Sequence, residues 1–275
     1  MTEVVTDTHH TECIVKVLVY IEEHLDEELA LKRLAKIAHI SPYYFHRLFR
    51  AYMGETLAEY VKRLRVQRAE GRLQYSDVSI TELALQLGYE TPSAFTKVFN
   101  QVKGLSPRAY RKIMKRTSLK AHYTHIPDYV EREEEAVLFV RRVGDYNEVP
   151  ELAFTALTSA VPTEQIKVYY SIALDDPDVA GRERCRFDAC VSINGEVLPK
   201  GEVGKKVLRG GRFAVFTHKG PCRDIEKTYE EIFLGWYPTS NRTIADAPSY
   251  CEHINCDRVI PEAEHITKIY IPLQK

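Results

Sequence analysis

Long apolar runs are missing from this sequence of 275 residues. None approaches the ~18 consecutive apolar residues that a membrane-spanning helix needs. Cysteine is sparse and unpatterned: Cys13, Cys185, Cys190, Cys222, Cys251 and Cys256 include no CxxC pair. Neither a disulfide framework nor a zinc ribbon is expected from that spacing. The opening residues MTEVVTDTHHTE lack the basic and apolar regions of a signal peptide. A reduced, cytoplasmic setting without a membrane partner is therefore expected. Phosphate-loop spacing is absent around Gly201–Lys206, and no GxSxG elbow occurs, so no cofactor is expected.

What the sequence does have is a hidden charge asymmetry. The formal net charge is −1, yet residues 29–119 hold 17 Lys and Arg against 6 Asp and Glu, a net of +11. Residues 120–275 hold 20 basic and 25 acidic residues, a net of −5. A basic block beside an acidic one points to a polyanion-binding domain joined to something else.

The basic block reads as helices in two similar sets. Ile14, Val17, Leu18, Ile21 and Leu25 form one apolar stripe at helical spacing. Next, Leu34-Ala35 starts a pattern that returns at Leu83-Ala84, 49 residues later. Pro42 and Pro92, Phe45 and Phe95, Phe49 and Phe99, and Gly54 and Gly104 are each 50 apart. Ser41 and Thr91 stand where helix caps belong, each before a proline at the first helical position. Ser79-x-x-Glu82 has capping-box spacing. Residues 56–75 form one long helix between the sets, with Leu57, Tyr60, Val61, Leu64 and Leu73 on its buried side. Lys62, Arg63, Arg65, Arg68 and Arg72 crowd its other faces.

Helix, tight turn and capped basic helix is the helix-turn-helix plan. Two such units, the second within the stretch LALQLGYETPSAFTKVFNQVKGLSPRAYR, resemble the DNA-binding domain of AraC/XylS regulators over about residues 12–115. The resemblance implies that each second helix enters a major groove of double-stranded DNA, at an asymmetric site. It carries DNA contacts onto Tyr43, His46, Arg47 and Arg50 in the first unit, and Ser93, Thr96 and Lys97 in the second. Arginine can read guanine bidentately, while lysine and hydroxyls reach phosphates or base edges. Phe45, Leu48, Phe49, Phe95, Val98 and Phe99 are expected in the core. RNA polymerase is a candidate protein partner, and a monomer or weak dimer is expected.

A polar stretch over 116–135 reads as a linker. It contains His122-x-x-His125, which reads as two surface residues rather than a metal pair. Beyond it the pattern alternates. Strands are expected over 136–142, 166–174, 187–193, 213–219, 249–254 and 267–273. Helices carry Val149, Leu152, Ala153, Ala156 and Leu157, then Ile225, Tyr229, Ile232 and Phe233. That is βαββ twice, with Gly144/Gly220 and Val149/Ile225 each 76 apart. The expected fold is multidomain. An all-α double helix-turn-helix domain (1–115) is followed, after the linker, by an α+β domain of two βαββ repeats (136–275). Cys251-x-His253-x-x-Cys256 holds three metal-capable residues, but strand alternation sends Cys256 to the other face, so no metal is expected.

Arg186-Phe187-Asp188, Gly211–Phe216, His218–Pro221, Trp236, Pro248–Glu252 and Ile271-Pro272 give this half a resemblance to GyrI-like small-molecule-binding domains. That resemblance implies a cleft between the halves for a bulky, apolar and often cationic effector. Alternation puts Tyr250, Glu252 and Ile254 on one strand face. A carboxylate between such side chains needs a cation or donor to meet it. Glu252 is the expected acid of the cleft, with Tyr146, Tyr170, Trp236, Tyr237 and Tyr270 as ring walls. Tyr169 and Tyr170 are adjacent, so at most one faces the cleft. The expected function is a DNA-binding transcription regulator sensing a small molecule, not an enzyme. Two alternatives stay open: a hydrolase of reactive compounds, with Glu252 as base and Trp236 beside it, and a module that only sequesters toxins.

Overall fold

The computed structural model describes residues 2–117, 126–195, 201–256 and 259–274. The chain forms two compact units, with the main division between Lys112 and Ile113 and residues 199–204 grouped with the first. The His122/His125 pair lies outside the described residues.

The first unit is all helix: α1 (Thr2–Glu23), α2 (Leu31–Ile37), α3 (Pro42–Met53), α4 (Leu57–Tyr75), α5 (Ile80–Gln86), α6 (Pro92–Lys103) and α7 (Pro107–Thr117). The α1 stripe of Ile14, Val17, Leu18 and Ile21 is buried against Leu34, Phe45, Phe49 and Tyr60. The sequence repeat becomes a repeat of ring packing. Phe49 meets Phe45 and Tyr60 at centroid distances of 5.6 and 5.4 Å. Phe99 meets Phe95 and Tyr110 at 5.7 and 5.5 Å. Tyr60 and Tyr110 are thus a further 50-residue pair, each supplied by the helix after its unit.

Local chemistry sets the helix ends. Ser41 Oγ accepts the Tyr44 amide and Thr91 Oγ1 the Ala94 amide, both at 3.2 Å. Gly54 and Gly104 close α3 and α6 in left-handed conformation, at φ 68° and 71°. Within each helix-turn-helix, the left-handed residue of the turn is His39 (φ 55°) in the first unit and Gly88 (φ 72°) in the second. The reciprocal capping box sits at Thr56/Glu59. Ser79 caps Glu82 in the expected way, but the Glu82 carboxylate accepts from Gln86 instead of turning back.

The second unit carries one eight-stranded sheet. Its elements are β1 (Asp128–Arg132), β2 (Glu135–Val143), α8 (Val149–Ala160), β3 (Ile166–Ala173), α9 (Pro177–Ala180), β4 (Arg186–Ile193), β5 (Gly204–Leu208) and β6 (Gly211–Lys219). Then follow α10 (Ile225–Glu230), a π-helical turn (Glu231–Trp236), α11 (Tyr237–Thr239), β7 (Tyr250–His253) and β8 (Ile266–Leu273). Sheet order is β1-β6-β8-β7-β3-β4-β2-β5. Both βαββ units are present, β2-α8-β3-β4 and β6-α10-β7-β8. They meet antiparallel at β3 and β7, where Tyr170 pairs with Glu252. β1 flanks β6 and β5 flanks β2, so each half carries one added edge strand. β1 lies inside the stretch expected to be linker. Its residues pair in register with β6, from Asp128↔Val215 to Arg132↔Gly211.

Alternation divides the sheet into two faces. Helices cover one: Ala214, Phe216, Cys251, Ile269 and Ile271 are buried with Ile232 and Trp236, and Phe154 of α8 meets Tyr169 and Phe187. The opposite face bears Tyr170, Phe213, Tyr250, Glu252 and Tyr270.

Candidate DNA-binding and effector sites

On α3, the cap and the burial of Phe45, Leu48 and Phe49 fix which way the helix faces. Tyr43, His46, Arg47 and Arg50 are thereby exposed, and Tyr43 is 74% exposed, unusual for so large a ring. The Arg47 guanidinium carbon lies 5.9 Å from the Tyr43 ring centroid. On α6, burial of Phe95 and Phe99 leaves Ser93 and Lys97 exposed and Thr96 half-buried. Val98, expected in the core, is also half-buried. Each second helix therefore offers a cationic, hydrogen-bonding face.

Not every base of the block is free for a polyanion. Arg65 of α4 donates to the carbonyls of Leu25 (2.9 Å), Glu27 (2.7 Å) and Gly88 (3.2 Å). It ties the end of α1 to the turn of the second helix-turn-helix. Arg63 pairs with Glu55, and the Lys103 ammonium reaches the buried Glu70 carboxylate at 2.6 Å. These cations hold the helices together.

In the second unit, the open face gathers around Glu252. The Tyr270 hydroxyl donates to Glu252 Oε2 at 2.6 Å. Arg132 of β1 donates to the same oxygen at 3.3 Å, to the Tyr270 hydroxyl at 3.1 Å and to the Tyr170 hydroxyl at 3.1 Å. Tyr170 in turn donates to Glu135 at 2.7 Å. The Arg132 guanidinium stands over the Tyr270 ring, 5.1 Å from its centroid. Tyr250 stacks on Tyr270 at 4.7 Å with 10° between planes, and Phe213 meets both edge-on. Burial followed by the Glu252 carboxylate pushes the Tyr270 hydroxyl well above its ordinary value, so it stays a donor. Burial raises Tyr250 to about 12. Burial alone would lower Arg132, but the surrounding phenols and Glu252 reverse this and hold it charged.

The structure brings together Glu252, Tyr170 and Tyr270 of the expected cleft residues, and not the others. Trp236 is packed on the helix-covered face, 5.0 Å from Phe216, and Tyr237 lies beside it. Trp236 extends the stripe Ile225, Tyr229, Ile232 and Phe233 by one more helical step, and that spacing was the signal of a core position. Tyr146 is a buried strut whose hydroxyl donates to carbonyls of Asp175 and Arg186. Tyr169 contacts Phe154 on the helix side. Tyr250 shares the Glu252 face as strand alternation predicts, while Arg132, Glu135 and Phe213 were missed as members of the cluster. Arg132 sits in the acidic stretch Glu131–Glu135, where a lone arginine reads as solvated linker.

A different, closed cluster occupies the other half, on β4 and not on the counterpart of β7. Asp188, fully buried, takes a bidentate pair from Arg141 at 2.6 and 2.8 Å and a further bond from Lys206 of β5. The Lys206 ammonium lies 4.5 Å from the Phe139 ring centroid. In both halves the edge strand supplies a cation that touches a carboxylate and an aromatic face. The Glu252 cluster differs in being open: the Arg132 side chain is 32% exposed and that of Glu252 16%.

Comparison with known proteins agrees with this architecture. Residues 127–274 match the GyrI-like small molecule binding domain. The chain belongs to the GyrI-like family. Its β1 falls inside that matched span, ahead of the boundary expected at residue 136. The GyrI-like domain here follows an AraC-type domain, for residues 34–113 match a helix-turn-helix domain. The chain is 31% identical over 102 residues to regulatory protein SoxS of Salmonella typhimurium, 37% of this chain and 95% of that protein. It is 40% identical over 105 residues to regulatory protein PocR of the same organism, 38% of this chain. The matched stretch spans 35% of PocR, and 40% of the HTH-type transcriptional regulator YbfP of Bacillus subtilis. Among solved structures, the DNA-binding domain of AdpA in complex with a target DNA aligns at 32% identity over 38% of this chain and 93% of that one, with a TM-score of 0.37. No helix among the described residues is long and apolar enough to cross a membrane.

Proposed function

We propose that this GyrI-like protein is a DNA-binding transcription regulator whose second unit takes up a lipophilic cation at the Glu252 cluster. The observation that carries the effector class is Arg132. A guanidinium of the chain's own already rests on an aromatic face and against a carboxylate, the two features that recognise an organic cation. Arg132 is the stand-in that an effector replaces, leaving Glu252 paired and Tyr270 covered. Such a site discriminates by charge and aromatic contact, so bulky cations of varied shape fit it better than anions or small polar molecules.

The DNA half rests on the exposed faces of α3 and α6. In this reading Tyr43, His46, Arg47, Arg50, Ser93, Thr96 and Lys97 meet a duplex, with arginines reading bases and the rest holding backbone. Coupling follows where the effector binds one arrangement of the chain better than another. Calorimetric titration of the full chain with tetraphenylphosphonium tests the effector reading. Glu252→Gln is expected to weaken binding by about tenfold or more, which is about 1.4 kcal/mol. Arg132→Gln is expected to strengthen it, because no resident cation has to leave. Unchanged binding in both variants would remove the cluster from the effector site.

A further inference from the structure

A cluster apart from the Glu252 face joins Cys222 to His253 and Cys256. Strand alternation sends the last two to opposite faces, but β7 ends at His253, so the alternation does not reach Cys256. Cys222 opens the short turn after β6, His253 ends β7, and Cys256 follows β7 three residues on. Their two sulfurs and one ring nitrogen all lie within 4.8 Å of one another. His253 Nδ1 is the nitrogen involved, 4.0 Å from Cys222 Sγ. The other ring nitrogen, Nε2, is 2.9 Å from the hydroxyl of buried Ser171. With Nε2–H donating to Ser171, the Nδ1 lone pair is left facing both sulfurs, as a metal-binding histidine requires. The hydroxyl of Thr267, itself fully buried, lies 3.8 Å from Cys222 Sγ and 3.5 Å from Cys256 Sγ. The cluster thus has a polar inner wall and, through exposed Cys222, an open outer side.

We infer that Cys222, His253 and Cys256 form a binding site for a thiophilic d10 metal ion of the zinc and cadmium class. Two thiolates and an imidazole are the donor set such ions take, at about 2.3 Å for sulfur and 2.0–2.1 Å for nitrogen in tetrahedral sites. A tetrahedron of those bond lengths separates its ligand atoms by under about 4 Å, so small rotations of the side chains complete the site. Three protein ligands leave the fourth position to water or an outside thiol, on the side where Cys222 is exposed. Binding releases the thiol protons to solvent and forms two metal–sulfur bonds and one metal–nitrogen bond, with no change of oxidation state. The linear trio Cys251, His253 and Cys256 is not this site: Cys251 is packed under the helices, with its sulfur 3.5 Å from the Tyr229 hydroxyl.

The test is titration of the reduced full chain with Co²⁺ and Cd²⁺. The expected result is one equivalent bound, with visible bands of tetrahedral cobalt and ultraviolet thiolate-to-cadmium charge transfer. Cys222→Ser, His253→Gln and Cys256→Ser are each expected to abolish the bands, and Cys251→Ser to keep them. Ser171→Ala, which leaves all three ligands, is expected to weaken the metal about 10–100-fold by freeing the ring. Far-ultraviolet circular dichroism checks that each variant is folded. No bands in the reduced wild type would overturn the inference, as would bands that survive all three ligand substitutions. Pairing of Cys222 with Cys256 as a disulfide in a chain that takes no metal when reduced would overturn it equally.

Discussion

Arg65 and Gly88 fit one another with no space to spare. The guanidinium donates to the Gly88 carbonyl at 3.2 Å, and a methyl group placed on Gly88 would lie 2.7 Å from the same guanidinium. It would also lie 2.7 Å from the Asp26 carbonyl oxygen, at a φ of +72°. The turn of the second helix-turn-helix is therefore fixed by contact as well as by backbone conformation.

Gly88→Ala is accordingly expected to destabilise the chain more than Gly104→Ala. Gly104 is also left-handed, at φ +71°, but has nothing near where a methyl would go. Its substitution should cost only the conformational penalty, about 1–2 kcal/mol. At Gly88 the displaced Arg65 and the strained carbonyl contact add to that sum. Urea unfolding of both variants measures the difference, and equal midpoints would contradict it.

Salt dependence checks the two recognition helices. Arg47 and Lys97 are exposed, so their removal should leave stability within about 0.5 kcal/mol of the parent. If each meets a phosphate or a base edge, Arg47→Ala and Lys97→Ala weaken duplex binding. A variant that no longer neutralises its phosphate also flattens the plot of log affinity against log salt by about 1. Fluorescence anisotropy across a salt series gives both quantities. Parent-like affinity in both variants would turn the DNA face elsewhere.

Acid should unfold the second unit through Asp188. Burial alone would raise this carboxyl, yet Arg141 and Lys206 outweigh burial and hold it well below the usual carboxylate range. A depressed folded-state value means stability that is present above the unfolded value, about 3.9, and lost as pH falls below it. Asp188→Asn leaves Arg141 and Lys206 buried without their anion, at an expected cost of about 3–5 kcal/mol at neutral pH. The variant should also lose part of the parent's decline in stability on acidification. Thermal melts from pH 7 to pH 3 compare the two slopes, and parallel curves would dismiss Asp188 as the acid-sensitive group.

Tyr270 separates the two attractions in the proposed effector site. Tyr270→Phe deletes the hydroxyl that donates to Glu252 at 2.6 Å and keeps the ring under Arg132. A bond to a charged group contributes about 1.5–3 kcal/mol, so stability should fall. Affinity for a lipophilic cation should hold or rise, since Glu252 is left with fewer partners. Calorimetry read beside a thermal melt distinguishes this from a general loss of the domain, in which both would fall together.

Much of the architecture was legible because it rests on local rules. The 50-residue repeat, the Ser41 and Thr91 caps and the β2–α8 and β6–α10 correspondence all come from spacing within one or two elements. The edge strands did not show. β1 reads DYVER, exposed at three of five positions, and an edge strand with charges resembles linker. Aromatic content could not say which sheet face a ring joins, so Trp236 and Tyr146 were counted as ring walls although they pack away from Glu252, while the strand period did put Tyr250 beside it. Arg132 and Cys222 were invisible for a related reason. Their partners Glu252 and His253 lie 120 and 31 residues away, and only the pairing of distant strands brings them near.

The repeated sheet holds two carboxylates at places that do not correspond. Asp188, on the last strand of its βαββ unit, is sealed by two cations; Glu252, on the middle strand of the other, meets a single, partly wetted one. Damage to the sealed carboxylate should therefore read out as unfolding, and damage to the open one as altered appetite for ligand.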